Sequence, residues 1–589
     1  MDTYSINFFV ASAVAAILAV ILTRRKRFSL TALFIVPVLH YVLFYNYDSG
    51  LVGGIFPLLV PYVGTIYAAV LFAFFLSFDP VSKQQVSKRK QSVVRVVLSC
   101  IALFPLVLYS QVIPWGIDTF PLSNAEAILF TFFAGATDGS EEFVISSFLA
   151  KALRPAIFLY ACQVALLIVL SILLSKRDIK GLFRFWKLKL VLTGRGFVEN
   201  LGYLGNFSLV AVFAYCLVIS CFLPGIVTSA PFHVLFQKPI DSQLYRQHYV
   251  NPDSVKITAP QQQKNLIVIF LESMETNFAR YTPEIDDLFK QWGFLPGGVN
   301  VSGTSWTIAG ITGKLCGIPL NMPLGIDEYH GKLPTYLPHA RCIMNVLANQ
   351  EYEQVYVQGT SGDFTQKRDF WRVHGNVAIH DIEYFKENKK IPQDYNVFWG
   401  FEDRKLYGFV KEELDSLALL NKPFALYMLT VDTHQPFGYT DDLCQVKFTD
   451  EQGKFPQALR CASMQLGEFL DWAGKQPWFA NTVIAVMGDH TMEMLSAKAN
   501  IPLHEKLYWT NFILNSALPR PEKEHTYSSL DMFPTLLEAM GFSLEGHAMG
   551  LGKSLYSDEP TLLERYGQKA LDSLLRERSF QYDYFLMGK

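Results

Sequence analysis

The chain is expected to fold as two unlike parts: an N-terminal α-helical domain that spans a membrane several times, and a C-terminal α/β domain with a mostly parallel central sheet. Three observations predict this. Of 589 residues, 50% are hydrophobic and only 18% charged, with a mean hydropathy of +0.20. That excludes disordered and fibrous chains and is too apolar for a purely soluble enzyme. The apolar excess lies before about residue 225, in runs near the ~20 residues that cross a hydrocarbon core. Beyond it, short apolar runs alternate with helical and loop stretches, and several end in an acidic residue or a histidine. The formal net charge of −2 supplies no basic field for nucleic acid.

Six apolar runs are expected to span the bilayer: Ser5–Thr23, Phe28–Tyr45, Ile55–Phe78, Ser92–Gly116, Pro155–Leu174 and Asn206–Pro224. Basic clusters follow the first, third and fifth: Arg24 to Arg27, then Lys83 with Lys88 to Lys90, then Lys176, Arg177 and Lys180. Positive loops mark the cytoplasmic side, so both chain ends and the large C-terminal domain face outward. Basic residues follow the first run instead of preceding it, which argues against a cleaved signal peptide. The short apolar stretch Ala125–Gly135 leaves the span count open by one. Arg184, Lys187, Lys189 and Arg195, interleaved with Phe183, Phe185 and Trp186, read either as an interfacial segment near headgroups or as one more positive loop. The expected divisions are 1–225 membrane domain, 226–262 polar connector, 263–560 catalytic domain and 561–589 helical tail.

Cys100, Cys162, Cys216 and Cys221 lie in or beside apolar runs and read as small hydrophobes. Four more cysteines fall in the globular part. An even number in an exported domain suggests two disulfides, and short-loop pairing would join Cys316 to Cys342 and Cys444 to Cys461.

In the globular part, Asn265–Phe270, Val355–Val357, Ala425–Val431 and Thr482–Val486 are expected strands. Continuous apolar runs bounded by polar turns suit strands covered on both faces, where ligand groups gather at strand carboxyl ends. Three strand ends present Glu272, the Asp489/His490 pair, and His434. Two carboxylates and an imidazole suit a divalent cation such as Zn²⁺ or Mn²⁺, although a carboxylate there also serves as a helix N-cap. The stretch Ser302-Gly303-Thr304-Ser305-Trp306-Thr307 reads as a turn opening a helix. A hydroxyl in it is either an N-cap or a nucleophile whose target phosphate is held by backbone N–H groups.

Together these stretches resemble the membrane-anchored alkaline-phosphatase/sulfatase-like transferases: lipoteichoic acid synthases, lipid A phosphoethanolamine transferases and, above all, phosphoglycerol transferases of periplasmic glucans. The resemblance rests on Leu271-Glu272-Ser273, Gly303 to Gly310, Cys316-Gly317-Ile318-Pro319-Leu320, Val357-Gln358-Gly359, Trp399-Gly400-Phe401, Leu429 to His434 and Gly488-Asp489-His490, within roughly residues 264 to 550. The membrane half matches in architecture only.

The resemblance implies metal ligation by Glu272, Thr304, Asp489 and His490, with Thr304 also the nucleophile. Thr304 is preferred to its rival Thr307 because it stands thirteen positions before Gly317, as the family nucleophile stands before its Gly-[Ile/Leu]-Pro block. His434 is implied to bind the phosphate or protonate the leaving alcohol, Lys367 to contact phosphate, and Asp403 to orient a ligand from behind. His504 has no assigned role. The cysteine pairs fit disulfides near such a site. The implied cofactor is a divalent metal, Zn or Mn. The implied donor is phosphatidylglycerol or phosphatidylethanolamine in the bilayer, and the acceptor a glycan or lipopolysaccharide outside the bacterial inner membrane. Glycerophosphate transfer comes first, with phosphoethanolamine transfer, a plain phosphodiesterase or a non-catalytic membrane scaffold as alternatives. A sulfatase would need a Cys/Ser-x-Pro-x-Arg motif, which Thr304-Ser305-Trp306 does not provide.

Overall fold

The computed structural model describes residues 239–587 except 294–297, 322–334, 436, 450–453 and 493–507, and upstream only 104, 108, 111, 148–162, 164–165, 181–185 and 188–192. Backbone contacts divide the chain into two compact units, Met1–Asp118 with Val144–Ser229 and Thr119–Phe143 with Ala230–Lys589. In the first unit, Leu149–Leu153 form a π-helical stretch that continues as α-helix through 162, with Ile157 and Phe158 exposed. Gly181–Phe185 and Leu188–Leu192 pair as an antiparallel hairpin. No helix among the described residues is long and apolar enough to cross a membrane. The expected spans lie outside the described residues, apart from three residues of Ser92–Gly116 and half of Pro155–Leu174.

The second unit is built on six strands: β1 Asn265–Leu271, β2 Glu353–Gln358, β3 Ala378–His380, β4 Phe424–Leu429, β5 Thr482–Gly488 and β6 Asn511–Leu514. Their order across the sheet is β6-β5-β1-β4-β2-β3. All neighbours are parallel except the β5–β6 pair at one edge. Every residue of β1, β4 and β5 is buried, as expected for strands covered on both faces.

The helices that cover the sheet include α1 Pro283–Trp292, α2 Thr307–Cys316, α3 Asp403–Ala418, α4 Lys454–Ala473 and α5 Met532–Ala539. Side chains alternate across a strand, and the core splits accordingly. Leu266, Val268 and Phe270 of β1 face one apolar cluster with Ile308, Ile311 and Leu315 of α2 and Phe533 and Leu536 of α5. Ile267, Ile269 and Leu271 face the other, with Ile285 of α1, Leu406 and Val410 of α3 and Leu459 and Phe469 of α4.

Segments that flank the expected 263–560 domain also hold secondary structure that packs against it. Within the expected connector, Ile257–Thr258 pairs with Ser543–Leu544. The expected tail forms helices over Leu562–Tyr566, Gln568–Leu575 and Phe580–Met587, and Leu563, Leu571, Leu575 and Tyr582 are buried in the first cluster. Leu571 and Leu575, four residues apart on one helix, share a buried face.

Two disulfides form the short-loop pairs, Cys316–Cys342 and Cys444–Cys461. The first ties the C-terminal end of α2 to the turn before the next helix, and the second ties α4 to the short helix Asp442–Lys447. The Cys444–Cys461 bridge closes a loop of 17 residues, a length for which chain-entropy arguments give about 3 kcal/mol. Replacing both cysteines by serine is therefore expected to lower the unfolding free energy of this domain by about 3 kcal/mol, read from urea titration of the purified protein.

Candidate metal and phosphate site

The register of the sheet brings the first two groups together. Leu271 at the end of β1 pairs with Gly488 at the end of β5, so the residues that follow, Glu272 and Asp489, leave adjacent strands side by side. His490 comes next. Ligand atoms of Glu272, Asp489 and His490 all lie within 4.8 Å of one another, with His490 Nε2 3.7 Å from Glu272 Oε1 and 3.5 Å from Asp489 Oδ2.

Each group is held from behind. Asp489 Oδ1 accepts hydrogen bonds from the backbone N–H of Ser273 at 2.7 Å and of His490 at 2.8 Å. Its Oδ2 is buried with no hydrogen-bond partner. His490 Nδ1–H donates to the Thr491 carbonyl at 2.8 Å, which turns Nε2 towards the carboxylates as a ligand nitrogen. Glu272 Oε1 accepts from Ser273 Oγ at 2.8 Å, its N–H donates to Thr430 Oγ1 at 3.0 Å, and its carbonyl accepts from Thr433 Oγ1 at 2.6 Å. Burial, followed by the neighbouring Asp489 charge, holds the Glu272 carboxyl well above the usual carboxylate range. An orphaned buried carboxylate oxygen, a second carboxyl that resists ionising beside it and an oriented imidazole form a donor set that fits a divalent cation.

Of the two candidate threonines, Thr307 is the one whose hydroxyl reaches this cluster, beside that of Ser273. Thr307 Oγ1 lies 3.4 Å from Glu272 Oε2, and the residue, first in α2, is partly exposed. Thr304 is fully buried. Its Oγ1 donates to the Val301 carbonyl at 2.8 Å and accepts the Val301 N–H at 3.0 Å, so both roles of the hydroxyl are used within one turn. Gly303 makes that turn possible with φ +76°, and a Cβ there would come within 2.7 Å of Pro319 and Asn321. Thr304, expected from the sequence as nucleophile and ligand, has its hydroxyl satisfied outside the Glu272, Asp489 and His490 cluster. Spacing to Gly317 alone cannot distinguish a hydroxyl closing a turn from one opening a helix.

The other expected residues surround the cluster. Lys367 is buried. Its Nζ donates to the Phe364 carbonyl at 2.9 Å and Thr365 Oγ1 at 3.3 Å and lies 4.7 Å above the Phe364 ring. Burial pushes it down to about 8, against the attraction of Glu272, Asp381 and Asp489. His434 packs on Trp399 with ring centroids 4.4 Å apart, and its Nδ1–H donates to the Gln435 carbonyl at 2.8 Å. Burial pushes its imidazole down to about 4. Asp403 meets no member of the cluster. It accepts the N–H groups of Val431 at 2.8 Å and Asp432 at 3.0 Å, fixing the loop that carries His434. Burial raises its carboxyl to about 7. His504 lies outside the described residues.

Sequence reasoning passed over Ser273, Thr430 and Thr433, whose polar atoms brace Glu272, and Lys314 of α2. Lys314 is fully buried and donates to the Asp489 carbonyl. A lone cation in an otherwise apolar helical run was the available signal.

Residues 264–542 match the family model described as Sulfatase. The chain is 27% identical over 309 residues to phosphoglycerol transferase I of Xanthomonas campestris pv. campestris (strain B100), covering 51% of this chain and 43% of that protein. It is 30% identical over 293 residues to phosphoglycerol transferase I of Citrobacter koseri, covering 47% of this chain and 38% of that protein. The chain thus spans less than half the length of these curated relatives. Its coordinates align with a crystal structure of the lipoteichoic acid synthase LtaP from Listeria monocytogenes at 16% identity and a TM-score of 0.42, covering 56% of this chain and 96% of that one. Residues 264–542, a little under half of the chain, thus form a sulfatase-like domain.

Proposed function

We propose that the chain is a membrane-anchored phosphotransferase that moves glycerophosphate from a phospholipid headgroup to an extracytoplasmic glycan, through a covalent intermediate on Thr307. The observation that carries this reading is the Thr307 hydroxyl: it is accessible, opens a helix and lies beside Glu272 in a cluster of two carboxylates and an imidazole. The shared name of the two relatives favours glycerophosphate over phosphoethanolamine as the transferred group. The six apolar runs support anchoring in the membrane that holds the donor.

Glu272, Asp489, His490 and Thr307 would hold the cation, and their mixture of carboxylate, imidazole and hydroxyl suits Zn²⁺ or Mn²⁺. Once bound, it would acidify the Thr307 hydroxyl and neutralise charge developing on the phosphoryl oxygens. Thr307 Oγ attacks phosphorus, the phosphorus–oxygen bond to diacylglycerol breaks, and diacylglycerol departs with the proton released from the threonine. In the second half, an acceptor hydroxyl attacks the same phosphorus, its proton leaves, and Thr307 is restored. With Nδ1–H engaged by Gln435, the His434 Nε2 lone pair is available to receive that proton. Trp306 supplies no side-chain cap to α2, which leaves the first N–H groups of this helix to bind phosphoryl oxygens. Lys367 adds positive charge without a bidentate fork.

Thr307→Ala is expected to lower kcat by about 10⁴-fold or more, as loss of a nucleophile does. Thr304→Val is expected to retain activity within a few-fold while lowering stability by about 1–3 kcal/mol, because the Val301 N–H loses its acceptor. Headgroup-transfer assays with both variants decide between the two threonines, and inactivity of folded Thr304→Val with an active Thr307→Ala would reverse the assignment.

Mass spectrometry of the protein quenched with labelled phosphatidylglycerol and no acceptor is expected to place glycerophosphate on the peptide containing Thr307. A phosphoethanolamine adduct formed only from phosphatidylethanolamine would change the donor, and an absent adduct during turnover would remove the covalent step. Chelation is expected to abolish labelling, and added Zn²⁺ or Mn²⁺ to restore it.

A further inference from the structure

We infer that Lys314 is the positioning residue that registers the helix carrying Thr307 against the Asp489–His490 pair, an inference that rests on reading those residues as metal ligands. Lys314 lies two helical turns after Thr307 on α2 and is completely buried. Its Nζ donates to the backbone carbonyl of Asp489 at 2.7 Å and to Ser529 Oγ at 3.2 Å, and sits 4.2 Å above the Trp509 ring. Among the described residues, no carboxylate oxygen lies within ion-pair distance of it. A buried cation with no carboxylate partner is a poor way to stabilise a core, and an apolar side chain of similar length would serve better there.

What Lys314 grips explains its presence. The peptide joining Asp489 to His490 is planar, so fixing its oxygen and its N–H fixes the whole unit. Lys314 holds the oxygen, and Asp489 Oδ1 holds the N–H at 2.8 Å. That plane sets where His490 begins and leaves Asp489 Oδ2 without a competing bond. Between Thr307 and Lys314, Gly310 lets the helix touch the same carbonyl: a Cβ at position 310 would stand 2.0 Å from Asp489 O. Thr307, Gly310 and Lys314 therefore share one helix face, carrying the nucleophile, the close approach and the tether.

The test is Zn²⁺ affinity of the full chain in detergent, measured by competition with a chromophoric chelator, alongside Tm, kcat and donor KM. For Lys314→Met, the Zn²⁺ Kd is expected to rise about 10–100-fold, the range found when a group supporting a metal ligand is lost. Tm of the metal-free protein is expected to hold or rise, donor KM to stay within about twofold, and kcat to recover in part at saturating Zn²⁺. Ser529→Ala, which frees one of the two polar partners of Nζ, is expected to raise Kd by a smaller factor and serves if Lys314→Met does not fold. An unchanged Zn²⁺ Kd in folded Lys314→Met, or in Ser529→Ala where only that variant folds, overturns the inference. Asp489→Asn separates the two levels. If wild type binds Zn²⁺ and Asp489→Asn does not, the metal site stands whatever Lys314 does, whereas equal binding by both sinks the site reading itself.

Discussion

Parallel pairing of β1 with β5 forces two carboxylates to share one buried space. The register that sets Leu271 against Gly488 leaves Glu272 and Asp489 nowhere to diverge, and a slip of one residue would turn one of them to the other face of the sheet. Burial first, and then the repulsion between two carboxylates out of water, is why Glu272 resists ionisation. The sheet thus stores an electrostatic conflict that a divalent cation resolves. The hydrogen bonds that involve Thr430, Thr433, Thr491 and the Ser273 N–H act on backbone or on the far side of a ligand, while Ser273 Oγ bonds Glu272 Oε1 directly.

Helix α2 meets that conflict from one side, its first residue at Glu272 and its middle against the Asp489 carbonyl. Backbone-to-backbone contact is stiffer than contact through long side chains, so the distance between hydroxyl and carboxylates depends little on rotamers. The Cys316–Cys342 bridge closes the far end of the same helix. On the opposite flank, Asp403 works on the loop of His434 through two backbone N–H groups, so both sides of the site are set by main-chain geometry.

Much of this was legible in the residues because the decisive strands are buried on both faces. The runs beginning at Asn265 and Thr482 announce themselves by unbroken apolar character and differ from the observed strands only at their ends. Edge strands did not: β3 has three residues and β6 four, too short for a pattern to emerge, and β6 pairs antiparallel. Glu272, Asp489 and His490 were readable because strand ends converge. The choice between Thr304 and Thr307 was not, since residue type is identical and only hydrogen-bond saturation distinguishes them. Lys314 was only half legible for a related reason: a lone lysine in an apolar helical run stands out, but carries no sign of whether it reaches water or a carbonyl.

The saturated hydroxyl of Thr304 has an evolutionary corollary. If Thr307 carries the proposed reaction, two identical side chains three residues apart answer to different kinds of selection. Position 304 has only to close a bend, a task that serine, asparagine or aspartate can also perform, so drift there costs stability by degrees. On the proposed reaction, position 307 would have to supply an oxygen able to form and release a phosphate ester, and most replacements there would leave a folded but inert molecule. Natural variation at the two sites should therefore differ in kind, graded at the first and all-or-nothing at the second.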